Sequence, residues 1–302
     1  MVVLGDLVLD VVLAPARALD RGTDVPGSVL LRQGGSAATT ARWLARLGAH
    51  ATLVCAVGRD APGRTLVATL EADGVAVKAL RVAGARTGRI GVVVEPGGER
   101  SFVADRGAAD RLRPDDVRAA WFARSDAIHL PAYSLLGSPL GEAGLAAIRT
   151  ARSAGAMTSV DLASARPLLA RGRRAATALL EEASPDLLFA TEDEAAALLG
   201  PRGSDHLLEL APVAVVKRGR LGATVLARDG DARLRFEVAT AQVAATDSTG
   251  AGDAFDAGFL VAWLDGLRRA MPRAAGLQRA ALAGNRTALR HLSNPPGELV
   301  LR

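Results

Sequence analysis

The stretch Ala245-Thr246-Asp247-Ser248-Thr249-Gly250-Ala251-Gly252-Asp253-Ala254-Phe255 sets glycines directly in front of an apolar helix. Phe255, Phe259 and Trp263 recur every fourth residue, which buries one face and fixes that helix in place. Its N-terminus then presents the backbone N–H groups of Gly250, Ala251 and Gly252 without intrahelical partners. Such an arrangement suits an anion, phosphate in particular, and glycine lets the backbone turn tightly and come close to a ligand. Asp253 lies in the same first turn. A carboxylate there can take a proton from a hydroxyl while the N–H groups hold a phosphoryl group, the physical minimum for phosphoryl transfer to an alcohol. Asp253 can equally be an early-turn carboxylate that only neutralises the helix dipole, and the stretch alone does not choose. It is not a Walker A loop, because no lysine follows the glycines, and the N-terminus carries no dinucleotide fingerprint.

Outward from this segment the pattern alternates. Strands are expected at Val2 to Leu4, Leu7 to Leu13 (carrying Asp10), Ser28 to Leu31 and Thr52 to Val57, with helices at Ala37 to Leu47 and Thr65 to Asp73 stopped by Gly48 and Gly74. Later strands are expected at Ala127 to Leu130, Met157 to Asp161, Leu187 to Ala190 and Val213 to Lys217, with helices at Leu140 to Ser153, Thr191 to Leu199, Ala251 to Trp263 and Ala274 to Leu289. Ala223 to Ala227 and Arg233 to Val238 read as an antiparallel pair around Asp229-Gly230-Asp231. This grammar predicts an α/β fold with a mainly parallel sheet flanked by helices. Arg89 to Val94 and Arg100 to Ala104, joined by Glu95-Pro96-Gly97-Gly98-Glu99, break it as a hairpin. With the early strands near Val11 and Val29 they predict a small separate sheet, free on one face to cover a cleft or meet another subunit. The chain is expected to be a single domain over 1–302, its lid strands drawn from about 11–31 and 88–104.

The 302 residues include 49% hydrophobic and 23% charged, a globular composition rather than a disordered one. Aromatics are only 3%, so Ala, Val and Leu do the packing. A net charge of +5, with no basic stripe or recognisable module, gives no sign of nucleic-acid binding. The densest basic cluster, Arg171, Arg173 and Arg174, reads as a solvated face. Cys55 is the single cysteine, so no intrachain disulfide is possible, and its setting in Ala51-Thr52-Leu53-Val54-Cys55-Ala56-Val57 is that of a buried strand. The four histidines show no metal-ligand spacing. No leader pattern opens the sequence and no long apolar run crosses it, so a cytoplasmic location without membrane contact is the expectation.

These motifs together resemble the ribokinase-like carbohydrate kinases, the PfkB family, from about Val2 to Leu292. Asp247 to Phe255 resembles the family's C-terminal signature nearly residue for residue. Gly34-Gly35-Ser36-Ala37-Ala38-Thr39-Thr40-Ala41 and its continuation Leu44-Ala45-Arg46-Leu47-Gly48 resemble the N-terminal one, and Val57 to Gly63 matches a further stretch. The resemblance implies an ATP-dependent phosphotransferase with Mg2+, Asp253 as catalytic base, and Gly250, Ala251 and Gly252 as anion hole. It also implies a small-sheet lid, with Asp10, Gly34, Gly35, Thr39 and Arg106 on the acceptor side. Thr191, Lys217, Gly219, Gly222, Thr249 and Asn285 would serve the nucleotide, and Glu194 would serve magnesium through water. A monovalent cation such as K+ and a homodimer through the lid remain open.

Two positions depart from the family pattern. Thr39 and Thr191 stand where asparagines are usual, and a threonine offers one short hydroxyl in place of an amide. With only Asn285 and Asn294 in the chain, both can reflect composition; Thr39 can also suit a different acceptor group. The expected acceptor is a sugar or sugar acid. Arg106, after the lid hairpin, is either a reader of an acceptor carboxylate, as in a 2-keto-3-deoxygluconate kinase branch, or a residue paired with a nearby Asp. Trp43 and Phe102 are the only aromatics close in sequence, which offers no evident platform for a nucleoside base. A nucleoside kinase and a catalytically weakened sugar-binding regulator stand as alternatives, the second opposed by the intact Asp253 and glycines.

Overall fold

The computed structural model describes residues 1–95, 97, 99–243, 247–294 and 297–301. Ala245, Thr246, and Pro96 and Gly98 of the expected hairpin turn therefore lie outside the described residues. The large sheet has nine strands: β1 (Val2–Leu4), β4 (Thr52–Gly58), β5 (Ala76–Val82), β8 (Ala127–Pro131), β9 (Met157–Asp161), β10 (Leu187–Thr191), β11 (Val213–Lys217), β12 (Ala223–Asp229) and β13 (Ala232–Val238). Their order is β13-β12-β11-β10-β9-β8-β1-β4-β5, parallel from β11 to β5, with β12 and β13 antiparallel at one edge. Alternation along each strand divides the core. Val3, Leu53, Cys55 and Val57 pack on one face, against α1 (Ser36–Arg46), α2 (Ala61–Ala72), α7 (Ala251–Arg268) and α8 (Arg273–Ser293). Val2, Leu4, Val54 and Ala56 pack on the other, against α3 (Leu140–Ser153), α4 (Ala165–Leu168), α5 (Arg173–Ala183) and α6 (Glu192–Leu199). Strands covered on both faces explain why their sequences read as unbroken apolar runs. Where aromatics occur they cluster: Phe189 packs edge-on to Phe259 at 5.3 Å between ring centroids and fixes α7 to β10.

The second sheet has order β3-β2-β6-β7, built from β2 (Val8–Pro15), β3 (Gly27–Gly34), β6 (Arg89–Val94) and β7 (Arg100–Asp105). Central β2 and β6 run parallel, and each pairs antiparallel with its outer neighbour. One face looks into the cleft described below. The other exposes Leu13, Val29 and Val103. The Leu299 N–H donates to the Leu31 carbonyl at 2.7 Å, so the C-terminal segment touches the outer edge of β3.

Several elements differ from the sequence expectation. β5 was not anticipated, because Lys78 and Arg81 interrupt its apolar pattern and only pairing with β4 at the sheet edge orders it. Helix α2 starts at Ala61 rather than Thr65: Asp60 accepts the Gly63 N–H at 3.0 Å and Pro62 sits in the first turn, a strong start signal. Strand β3 extends in both directions beyond the expected Ser28 to Leu31 through its register with β2. Helix α5 was not anticipated either, and the arginine cluster lies exposed around its start. Cys55 is fully buried, and burial pushes its thiol up to about 12, which leaves it inert at neutral pH.

Candidate active site

The C-terminal ends of the parallel strands converge. Asp161, Thr191 and Lys217 are the last residues of β9, β10 and β11, and Asp6 follows β1. Ligands in open α/β sheets bind at this end. The small sheet roofs it, enclosing a cleft of about 1120 Å³.

On the floor lies the start of α7. Gly250 caps it in the left-handed region at φ 82°, which a side chain would strain. An added Cβ there would meet His291 at 3.0 Å and Thr39 at 3.2 Å. The Asp253 carboxylate accepts the Ser36 hydroxyl hydrogen at 2.5 Å. Burial pushes its pKa up to about 7; the Ser36 hydrogen bond pulls down, while the neighbouring Asp161 pushes up. Ala251 is already engaged, its N–H donating to the Ser248 carbonyl at 3.2 Å. The Thr249 carbonyl faces His291 Nε2 at 2.6 Å. Since the Trp43 indole can only donate, and does so to His291 Nδ1 at 3.0 Å, Nε2 must carry the hydrogen given to Thr249. Burial holds this imidazole below its usual pKa, consistent with that neutral tautomer.

Beneath the loop, Lys217 Nζ is 3.0 Å from Asp161 and 3.2 Å from both oxygens of Asp256. Burial alone would lower its pKa, but Asp161, Asp256 and Glu194 hold the ammonium charged. Burial in turn pushes Asp256 up against the pull of Lys217. Thr191 forms a reciprocal cap with Glu194: the Thr191 N–H donates to Glu194 Oε2 at 2.8 Å, and the Glu194 N–H to Thr191 Oγ1 at 3.2 Å. Burial, then the charge of Asp161, raises the Glu194 pKa.

The lid supplies the opposite wall. Asp10 on β2 has its pKa raised to about 7 by burial and by Asp6, with Arg32 acting in the other direction. A Cβ on Gly34 would collide with the Asp10 carboxylate, so only glycine leaves that carboxylate its place. Thr39 Oγ1 donates back to the Gly35 carbonyl at 3.0 Å. Arg106 donates to Asp110 at 2.7 Å, lies 3.5 Å from Asp6, and stacks 5.0 Å above the Tyr133 ring. Arg32 and Arg100 both meet Asp247 at 2.9 Å.

Thus Asp10, Gly34, Gly35, Thr39, Arg106, Thr191, Glu194, Lys217, Thr249, Gly250, Gly252 and Asp253 line one cleft, although they span most of the chain. Ala251, Gly219, Gly222 and Asn285 do not line it. Gly219 and Gly222 turn β11 into β12, and Asn285 donates to the Val238 and Ala239 carbonyls at 3.1 and 3.2 Å, tying α8 to the end of β13. Lys217, expected on the nucleotide side, lines the cleft with its ammonium paired to Asp161 and Asp256. Arg106 is Asp-paired, one of its two expected settings. Sequence reading missed Asp161, Asp256, His291 and the partners of Asp247. A signal existed for two of them: Asp161 ends a buried strand, and Asp256 interrupts the apolar face of α7.

The pfkB family carbohydrate kinase model matches residues 1–294. The ATP-dependent ribose-1-phosphate kinase of Halopiger xanaduensis is 32% identical over 286 residues, 89% of this chain and 89% of its own. Among solved structures, the adenosine kinase from Sinorhizobium meliloti matches with a TM-score of 0.82 at 24% identity, covering 99% of this chain and 96% of its own. A putative ribokinase II from E. coli, in complex with ATP and Mg2+, matches with a TM-score of 0.77 at 22% identity, covering 98% and 93%. At these identities the two structures establish the shared fold. With the family model spanning residues 1–294 and a relative 32% identical over 89% of the chain, the chain belongs to the pfkB family of carbohydrate kinases.

Proposed function

We propose that this kinase transfers the γ-phosphoryl group of ATP to a hydroxyl of a sugar or sugar derivative, with Asp253 as general base. The observation that carries the reading is the Asp253 carboxylate, held by Ser36 at the head of α7 and tuned by burial to about 7. A base is most effective when its pKa lies near the working pH. Asp253 takes the hydroxyl proton as the acceptor oxygen attacks phosphorus. The Gly250 and Gly252 amides stabilise the charge on the transferred group; Ala251 serves instead to hold the turn through Ser248. Asp10 accepts hydrogen bonds from acceptor hydroxyls, and Thr39 leaves a shorter reach beside it. The nucleotide base lies along the Gly219–Gly222 turn and α8, outside the acceptor cleft.

Magnesium fits the donor set. Among the described residues no group of three carboxylates, histidines or cysteines forms a metal cage, and Mg2+ needs none, binding through one or two carboxylates, waters and substrate phosphates. Glu194, oriented by the Thr191 amide and partly buried, is the residue to hold it, through water. Bound there, Mg2+ would neutralise phosphate charge.

We read the chain as one domain whose lid strands are threaded between core elements. The exposed Leu13, Val29 and Val103 on the outer lid face favour a homodimer through the lids; a monomer in sedimentation at micromolar concentration would count against it. Among the described residues no helix is long and apolar enough to cross a membrane. The decisive experiment is ATP turnover with Mg2+ against D-fructose, D-ribose, ribose 1-phosphate, 2-keto-3-deoxygluconate and adenosine. Turnover of a sugar or sugar derivative supports the reading. Preference for adenosine favours the nucleoside alternative, and no turnover of any acceptor defeats it.

A further inference from the structure

Two arginines from opposite edges of the lid converge on one carboxylate of the core. Arg32 lies on β3 and its Nη1 is 2.9 Å from Asp247 Oδ2; Arg100 lies on β7 and its Nη2 is 2.9 Å from Asp247 Oδ1. The lid order β3-β2-β6-β7 makes these the two outer strands. Asp247 Oδ1 also accepts the Thr249 N–H at 2.9 Å, one residue before Gly250. Arg100 Nη1 lies 3.4 Å from Ser248 Oγ in the same loop. The side chains of Arg32, Arg100 and Asp247 are 22%, 13% and 28% exposed, so these pairs are screened less than ordinary surface ion pairs. Resting on the kinase reading above, we infer that Asp247 is a clasp: it holds both edges of the lid over the acceptor and, with the same carboxylate, shapes the loop entering the phosphate-binding turn. Raising the lid breaks both ion pairs at once and strips the loop of its arginine partners. Lid closure and order in the phosphate loop are thereby coupled through one side chain, and Asp247 acts as a positioning residue.

Asp247→Asn tests this, because the amide oxygen can still accept the Thr249 N–H while the charge that attracts the arginines is gone. In hydrogen exchange of the ligand-free protein, amides of β2, β3, β6 and β7 are expected to exchange roughly 5- to 30-fold faster, with β4 and β8 unchanged. Adding Arg32→Ala to Asp247→Asn should accelerate the lid no further, since one interaction cannot be lost twice. Unchanged lid exchange, equal acceleration of the core strands, or multiplying effects of the two substitutions overturns the clasp. In kinetics with Mg2+ and ATP on the compound the wild type turns over fastest, Asp247→Asn is expected to raise the acceptor KM at least about fivefold and the ATP KM less than about twofold. An unchanged acceptor KM also overturns it. If no compound is turned over, the kinase reading fails, and the exchange measurement still decides the clasp.

Discussion

Replacing Asp253 by Asn is expected to stabilise the protein while removing most of its phosphoryl transfer. Burial holds the native carboxyl protonated up to about 7, whereas an aspartate of the unfolded chain titrates near 3.8. Between these values the native state binds the extra proton. The contribution of Asp253 to stability is therefore fully present below the unfolded pKa and is lost as pH rises through about 7. A displacement of about three pH units corresponds to at most about 4 kcal/mol above that window. Because the side chain borders an open cleft, solvent screening reduces this to about 1–2 kcal/mol. Asparagine can still accept the Ser36 hydroxyl hydrogen, so it removes the charge and little else. For a chain of this length 1 kcal/mol moves the midpoint by roughly 1.6 °C, so at pH 8 the variant should unfold about 2–3 °C above wild type. The difference should shrink toward zero at pH 4. Loss of a general base lowers kcat by roughly 10²- to 10⁴-fold, with ATP binding little changed. Thermal scans of both proteins from pH 4 to 8.5, beside steady-state kinetics, check both halves. A variant no more stable than wild type at pH 8, a pH-independent difference, or wild-type turnover refutes the reasoning.

The acceptor kcat/KM should rise with pH up to about 7 and then level off, because Asp253 and Asp10 both lose their protons there; Asp10→Asn should leave a shallower rise, read from the pH–rate profile. Gly34→Ala should raise the acceptor KM and leave the ATP KM unchanged, since its Cβ would displace the Asp10 carboxylate; equal changes in both constants would contradict this division of the cleft. His291→Phe removes the donor to the Thr249 carbonyl and the acceptor of the buried Trp43 indole N–H, and that buried donor left unpaired costs about 1–3 kcal/mol. Denaturant melts should show that loss together with a reduced kcat.

The alternation of apolar runs and glycine stops is local information, and it is enough for the α/β fold, the lid hairpin and the glycine-led start of α7. Asp253 stood out as a candidate for the same reason: glycines, carboxylate and apolar helix face are contiguous. β5 was not legible, because an edge strand carrying Lys78 and Arg81 shows its character only when β4 pairs with it. The carboxylate partners of Lys217 were not legible, since Asp161 lies 56 residues away and Asp256 lies 39 away, and only the convergence of β9, β11 and α7 brings them to it. Asp247 stood in the opening motif, but its arginines come from residues 32 and 100, and no spacing along the chain announces them. Sequence by itself determined most of the strands and helices and singled out the glycine-led helix start, because those choices depend on neighbours within a few residues. Tertiary structure alone decided which charges meet, because an ion pair depends on distance in space and on removal from water.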